Sequence, residues 1–129
     1  MRASEQPEFS VSNPADGVCL VSIRCELDML TTPSLGQLLT QELTGGARVL
    51  VLDFADCDFI GSAGLATLVA ARDQAGAGGA KVALTAMPHV VLRALEATGL
   101  LTMFDTYPST EDAVAALAAQ RLVRHRPQD

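Results

Sequence analysis

Ser62 is the residue whose type and setting could most readily carry chemistry in this sequence. It stands in DCDFIGSAGL, residues 56–65, between two glycines where a strand is predicted to end and a helix to begin. A serine there can cap the helix, because its side-chain oxygen can accept a hydrogen bond from the backbone N–H of Gly64 or Leu65. The same helix start would also hold a phosphate on the hydroxyl, since helix N-termini favour anions. Caps are common and modified serines are rare, so the residues alone favour the cap.

A nucleophilic role for Ser62 lacks the partners that such chemistry needs. A catalytic serine requires a general base and an oxyanion hole. The sequence GSAG is not the GxSxG turn of the α/β-hydrolases, and His89 and His125 lie in unrelated segments. The glycine-rich motifs that cradle nucleotide phosphates are also missing. We therefore predict that the protein is not an enzyme and binds no cofactor.

The cysteines of the chain show no metal-binding or redox pattern. Cys19, Cys25 and Cys57 form an odd set without CxxC spacing, and the histidines lie elsewhere. Such residues are typical of small buried hydrophobic side chains in a reducing compartment. The sequence predicts no metal site.

Charge and hydropathy limit the kinds of partner. The formal net charge is −6, which disfavours binding to nucleic acid and to anionic membranes. No apolar run approaches the length of a membrane span, and residues 1–10 lack the apolar stretch of a secretory signal. We expect a cytoplasmic protein that binds another protein or a small ligand, without direct contact to nucleic acid and without membrane insertion.

Strand patterns recur along the chain. GVCLVSIRCEL, residues 17–27, alternates as a strand with one apolar face, and an edge strand at 9–13 precedes it across turn residues at 14–17. ARVLVLDF, residues 47–54, is a near-continuous apolar run that suits a central strand covered on both faces. KVALTA is another buried strand, and the apolar segment 100–104 is predicted as a short last strand.

About four helices connect and follow these strands. They are predicted to begin at Thr31–Pro33, at Ser62 (running to about Gly76), at Pro88 and at Ser109, where STED resembles a capping box. The alternation predicts an α/β sandwich with a mixed, mostly parallel sheet and an N-terminal antiparallel hairpin. The helices should cover mainly one face of the sheet, or be split between its two faces.

Asp28 is the second polar residue that the pattern brings forward. It ends the second strand just before the first helix, and the ends of parallel strands meet at one edge of a sheet. Asp28 should therefore lie at the same edge as Ser62. Two interpretations stay open, an Asx-turn carboxylate and a polar group at a partner-binding edge.

Three separated segments together resemble one known family. CELD-x-x-T-x-P-x-L at 25–35 is similar to the GELD-x-x-T segment of STAS domains of the anti-sigma factor antagonist type. VLDFADCDFIGSAGLATLVAA at 51–71 resembles their D-x-S-x-[VI]-D-S-[ST]-G-[LI] segment, and TGLLTMFDTYPSTEDAVAAL at 98–117 resembles their C-terminal part. The resemblance implies a STAS-type sandwich. It divides the chain into a flexible N-terminal tail at 1–7, a STAS domain at 8–122 and a polar C-terminal tail at 123–129.

The resemblance also implies a phosphorylation site. In that family an anti-sigma factor that is also a serine kinase phosphorylates the serine following the loop aspartate, and the matching position is Ser62. This reverses the preference reached from the residues alone, although a cap and a phosphoacceptor are compatible roles. The chain departs from the family pattern at three places, with Gly61 for the aspartate, Ala63 for the next hydroxyl residue and Cys25 for the first glycine.

By resemblance, the unmodified protein docks on an anti-sigma factor and frees a sigma factor. Apolar contact would come from Ile60, Ala63 and Leu65, and a phosphate on Ser62 would place uncompensated charge near Asp28 and Asp58 and break the complex. The alternative is a STAS subunit of a membrane transport assembly that binds without a phosphorylation cycle. The protein is expected to be a monomer or weak dimer. The predicted partner-binding residues are Asp28, Thr32, Asp58, Ile60, Gly61, Ser62, Ala63, Gly64 and Leu65.

Overall fold

A computed structural model describes residues 7–124 of the chain. The tails predicted at 1–7 and 123–129 lie almost entirely outside the described residues, as does His125. A short 3-10 helix, Leu101–Met103, precedes the last strand. In chain order the strands and helices are β1 (Phe9–Ala15), β2 (Val18–Ile23), α1 (Thr32–Thr44), β3 (Val49–Asp53), α2 (Ser62–Ala77), β4 (Lys81–Thr85), α3 (His89–Ala97), β5 (Asp105–Tyr107) and α4 (Thr110–Arg124).

The strands form one mixed sheet in the order β1-β2-β3-β4-β5. β1 pairs antiparallel with β2, and each later pair is parallel. β3 is the central strand, where Val51 pairs with Leu20 on one side and with Ala83 on the other. The predicted architecture is confirmed, including the N-terminal hairpin and the covered central strand.

The hairpin differs from the prediction at Pro14. The sequence placed this residue in the turn, whereas the structure places it inside β1, and the turn follows at Asp16–Gly17. The pairing register shifts between Ser12 and Ala15. A proline is tolerated here because β1 is an edge strand, so its missing N–H removes no hydrogen bond from the interior of the sheet.

The helices are split between the two faces of the sheet. α1, α2 and α3 cover one face and α4 covers the other, so most helices lie on one face and a single helix covers the second. On the first face, Cys19, Val21, Ile23, Leu50, Leu52, Val82 and Leu84 pack with Leu35, Leu39, Leu68, Val91 and Leu95. On the second face, Val18, Val49, Val51 and Ala83 pack with Ala113 and Leu117.

The helix starts at α2, α3 and α4 lie where the sequence predicts them. Pro33 is the second residue of α1 and not the first. α3 ends at Ala97, and Gly99 follows with a φ of 74°, a left-handed conformation that glycine adopts readily. Within residues 7–124, no helix combines the length and apolar character needed to cross a membrane.

The predicted strand at 100–104 is wrong. The segment forms the 3-10 helix, and Phe104 then enters the main core with 8% exposure. The strand follows at Asp105–Tyr107, paired with β4. Short apolar runs do not distinguish a strand from a buried turn, because both place successive side chains in the core.

The start of α4 shows a side-chain cap. Ser109 precedes the helix, and its Oγ accepts a hydrogen bond from the backbone N–H of Asp112 at 3.0 Å. Glu111 and Asp112 lie in the first turn, where the helix dipole favours negative charge. The predicted capping serine is confirmed at this helix.

Candidate functional site

Two loops meet at the carboxyl edge of the parallel strands. They are the β2–α1 loop, residues 24–31, and the β3–α2 loop, residues 54–61. The backbone N–H of Leu27 donates to the carbonyl of Phe59 at 2.9 Å, and the N–H of Gly61 donates to the carbonyl of Leu27 at 2.9 Å. These two bonds form a parallel bridge between Leu27 and Ile60. The structure therefore brings the segments of Asp28 and Ser62 together, as expected from their shared sheet edge.

Gly64 lets α2 approach this bridge closely. A Cβ atom at position 64 would lie 2.7 Å from Cγ1 of Ile60 and 2.9 Å from Cβ of Leu27. Side chains do not tolerate such distances, so one of the neighbours would have to move. Gly64 is buried, and its missing side chain fixes where the first turn of α2, including Ser62, sits on the loops.

The prediction that Ser62 caps α2 is wrong. Ser62 is the first residue of the helix, and the N-cap position is held by Gly61, which has extended backbone angles (φ −98°, ψ −172°). The carbonyl of Gly61 accepts the N–H of Leu65 at 3.0 Å, and no side chain caps this helix. The Ser62 side chain is exposed, and its hydroxyl makes no hydrogen bond to any described residue. It is therefore open to a reagent or a partner.

Asp28 forms an Asx turn, which is the first of the two interpretations that the sequence left open. Its Oδ1 accepts the backbone N–H of Leu30 at 2.9 Å and of Thr31 at 3.1 Å. The Thr31 hydroxyl donates to the carbonyl of Glu26 at 2.7 Å and accepts the N–H of Asp28 at 3.1 Å. The Thr31 hydroxyl also lies within hydrogen-bonding distance of Oδ1 of Asp28, at 3.3 Å. These hydrogen bonds close the β2–α1 loop, so Asp28 has a structural role.

The predicted partner-binding residues divide by exposure. Ile60 is only 5% exposed, so the prediction that it supplies apolar contact to a partner is wrong. Thr32 and Gly64 are buried as well. Thr32 and Gly64 lie in the first turns of α1 and α2, and Leu27 and Ile60, which the bridge joins, are both part of the main core. Among the predicted residues, Ser62 and Asp58 are exposed, and Asp28, Gly61, Ala63 and Leu65 are half-buried.

Comparison with known proteins identifies the family. The sequence model of the STAS domain matches residues 12–113. The chain belongs to the STAS domain family. The anti-sigma-F factor antagonist RsfB of Mycobacterium tuberculosis is 28% identical to this STAS domain over 109 residues, which cover 84% of this chain and 88% of RsfB. A crystal structure of an anti-sigma factor antagonist from Mycobacterium paratuberculosis is 32% identical, covers 84% of this chain and 91% of that chain, and has a TM-score of 0.75.

Two solved structures of a more distant protein are similar to this chain in fold. The anti-sigma factor antagonist SpoIIAA in its unphosphorylated form has 15% identity and a TM-score of 0.76, covering 86% of this chain and 96% of that chain. The phosphorylated form of SpoIIAA, a Bacillus cell fate determinant, has a TM-score of 0.69 at 14% identity, covering 84% of this chain and 98% of that chain. The STAS fold of this chain is thus found in a protein that exists with and without phosphate.

The sequence pattern did not predict that three apolar side chains beside the site are exposed in this STAS domain. Met29 is 80% exposed, Leu30 is 88% exposed and Phe59 is 43% exposed. Hydrophobic residues are normally assigned to the core, so the pattern gave no reason to place them outside. The available signal was alternation, because Phe59 and Ile60 are neighbours in an extended segment and only one of them can face the core.

The two loops carry mostly negative charge. Arg24 is the one basic residue in them, and its Nη1 donates to Oγ of Ser10 at 2.7 Å. Arg48 and Lys81 lie at the opposite ends of the strands, just before β3 and at the start of β4. The edge near Ser62 is therefore acidic and the opposite edge holds basic residues. The acidic residues of the loops are Glu26, Asp28, Asp56 and Asp58.

The cysteines beside the site are packing residues, as predicted. Burial, together with the negative charge of Glu8, raises the pKa of Cys25 to about 11, and burial also raises the pKa of Cys57. Both thiols are therefore protonated at neutral pH. The Sγ of Cys57 donates to the carbonyl of Phe59 at 3.3 Å, which supports the β3–α2 loop. In the described part of the chain, no group of three or more potential ligands is placed to hold a metal ion.

An open groove of about 780 Å³ runs between α1 and α2 and begins beside Ser62. Thr32 and Ala63 line its near end and Gln74 its far end, where the Thr40 hydroxyl donates to Oε1 of Gln74 at 3.1 Å. Every residue that lines the groove is uncharged. Ser62 therefore lies at a boundary, with acidic loops on one side and an uncharged surface on the other.

Proposed function

We propose that this STAS domain is an anti-sigma factor antagonist that is switched off by phosphorylation of Ser62. It binds an anti-sigma factor of the serine kinase type in the cytoplasm, as a monomer or weak dimer, and thereby releases a sigma factor. The protein acts by binding and performs no catalysis of its own. The names of its relatives support the class of partner, and the proposed docking surface is the edge formed by the two loops and the start of α2.

The observation that carries the proposal is the exposed hydroxyl of Ser62. A serine that caps a helix would have to give up a hydrogen bond when modified, but Ser62 has no such bond to lose. A phosphate at the first position of α2 would be favoured by the helix dipole. The fold should therefore accept the modification with little change.

The switch follows from the charge that a phosphate adds. Phosphorylation adds about −1.5 to −2 charges at neutral pH. Ser62 borders the acidic loops, whose one basic side chain, Arg24, is bonded to Ser10, and a groove lined by uncharged residues. A partner surface that matches the unmodified serine would have to bury an uncompensated dianion, which costs several kcal/mol. The complex should separate through local charge, without a change of fold.

Replacing Ser62 with a charged residue tests the switch. Each anti-sigma factor encoded in the host genome is purified and titrated with the wild-type protein, S62D and S62N by calorimetry. We expect S62D to bind its partner at least about 30-fold more weakly than wild type. S62N is the matched control, because asparagine has the size of aspartate without its charge, and it should retain most of the affinity. Equal binding by S62D and wild type would contradict the proposed switch.

Phosphorylation itself is tested by mass spectrometry. The wild-type protein and S62A are incubated with ATP and the anti-sigma factor that binds. We expect one added phosphate on wild type, mapped to the peptide that contains Ser62, and none on S62A. A phosphate at another residue, or none on either protein, would make Ser62 a contact residue only. Binding to a transport ATPase and to none of the anti-sigma factors would instead support the transport alternative.

A further inference from the structure

Met29 and Leu30 form an apolar tip at the end of the β2–α1 loop. They are the two most exposed large hydrophobic side chains in the described residues, at 80% and 88%, and they are adjacent in sequence. Phe59, in the loop bonded to theirs through Leu27, is also exposed. Single exposed apolar side chains are normal on protein surfaces, but a cluster at one site is typical of an interaction surface.

The backbone of the apolar tip is held in place before any partner binds. Asp28 accepts the N–H groups of Leu30 and Thr31, and the Thr31 hydroxyl closes the loop onto Glu26. Leu27, the residue before the turn, is fully buried and bonded to the neighbouring loop. Little backbone freedom is lost when such a tip docks, so more of the energy of burying its side chains is available for affinity.

The charge around the apolar tip selects the kind of partner. Glu26 and Asp28 flank it in the same loop, and Asp56 and Asp58 lie in the adjacent loop. This negative field disfavours an anionic membrane, and it disfavours the same edge of a second copy of the chain. It favours a protein that has an apolar pocket with lysine or arginine at its rim.

We propose that Met29 and Leu30 are the anchor residues of the docking surface and determine which partner this STAS domain accepts. They insert into an apolar pocket of the partner, and the loop carboxylates face basic residues at the rim of that pocket. This inference rests on the proposed function for the partner's class, the anti-sigma factor. It adds the residues that discriminate among such partners, in the loop bonded to the one that precedes Ser62.

Crosslinking in the host tests where the partner sits. The photoreactive residue p-benzoyl-phenylalanine replaces Leu30 in one variant and Val90 in another. Val90 is the matched control, because it is 44% exposed and lies on α3. We expect irradiation to capture an anti-sigma factor from position 30 and not from position 90. The crosslinked peptide should be apolar with neighbouring lysine or arginine. Absence of a crosslink at position 30 overturns the inference.

Affinity measurements then separate the anchor role of Met29 and Leu30 from the proposed function. The captured protein is purified and titrated with wild type, with the double variant M29S/L30S and with V90S. We expect the double variant to bind about 10- to 100-fold more weakly, and V90S to stay within about twofold of wild type. Higher salt should weaken binding by wild type, because the rim contacts are between charges.

The outcomes are distinguishable. If an anti-sigma factor binds M29S/L30S as tightly as wild type, the anchor role is wrong and the proposed function stands. The captured protein could instead prove not to be an anti-sigma factor, while it binds M29S/L30S more weakly than wild type and V90S as tightly as wild type. In that case the anchor role stands and the proposed function is wrong.

Discussion

α2 and α4 both begin beside a serine, and the two serines act differently. Ser109 precedes α4 and caps it with its side chain. Ser62 is one position further along, inside α2, where Gly61 holds the cap position without a side chain. Glycine is itself a favourable N-cap residue, so α2 forgoes only a few tenths of a kcal/mol relative to a serine cap. A hydroxyl that the fold does not use remains available for modification, whereas the hydroxyl of Ser109 is already bonded.

The start of α2 is held by its backbone instead. The N–H of Gly61 is bonded to Leu27 and its carbonyl to Leu65. Gly64 then brings the helix against the loops. Side-chain capping at α4 and backbone bridging with close packing at α2 are thus two solutions to the same problem, and substitutions can separate them.

The largest expected effect is at Gly64. In G64A the new Cβ would approach Ile60 and Leu27 to less than 3 Å, so we expect the free energy of unfolding to fall by about 1–3 kcal/mol. Urea denaturation measures this change. G76A is the matched control in the same helix, because nothing lies within 4 Å of a Cβ there. Alanine should stabilise that position by about 0.5–1 kcal/mol. Equal responses of the two variants would show that close packing does not hold α2 in place.

A smaller effect is expected at Asp28, which orders the loop bonded to α2. D28A removes the acceptor of two backbone N–H groups, and we expect it to lower the free energy of unfolding by about 1–2 kcal/mol. D58A removes the same charge from the neighbouring loop, where the side chain is exposed. It should change stability by less than about 0.5 kcal/mol. If D58A matched D28A, then net charge and not the Asx turn would explain the loss.

The smallest effects test the two serines directly. S109A should lower the free energy of unfolding by about 1 kcal/mol, since Asp112 loses its acceptor. S62A should leave it within about 0.5 kcal/mol of wild type, because the Ser62 hydroxyl bonds to none of the described residues. Thermal unfolding of the two variants side by side gives the comparison. A loss in S62A as large as in S109A would mean that Ser62 does cap α2 in solution.

The sequence was sufficient for most of the fold because its patterns are strong where the sheet is central. The run at Val49–Leu52 is buried on both faces, as a continuous apolar strand must be. The prediction from a weaker pattern, the strand at 100–104, was wrong. The run at 100–104 fits a strand and a buried 3-10 turn equally, and only the packing of Phe104 decides between them.

The candidate site was predictable in position and not in detail. The shared edge of β2 and β3 places Asp28 and Ser62 in bonded segments, and that follows from topology. The choice of Gly61 over Ser62 as the cap does not follow, because both residue types are favoured at that position. Met29 and Leu30 are exposed close to Leu27, which is buried and bridged to Ile60, a long-range contact that no local pattern records.

The bridge between the loops consists of backbone atoms alone, and this has a consequence for how such proteins diverge. The main-chain bonds at Leu27, Phe59 and Gly61 do not use the exposed side chains of the two loops. Residues at the exposed positions can therefore be exchanged over generations without loss of the frame that presents them. After gene duplication, substitutions at a few exposed positions would give copies that have the same fold and bind different partners. Two such copies in one cell could then act in separate signalling pathways without binding each other's partners.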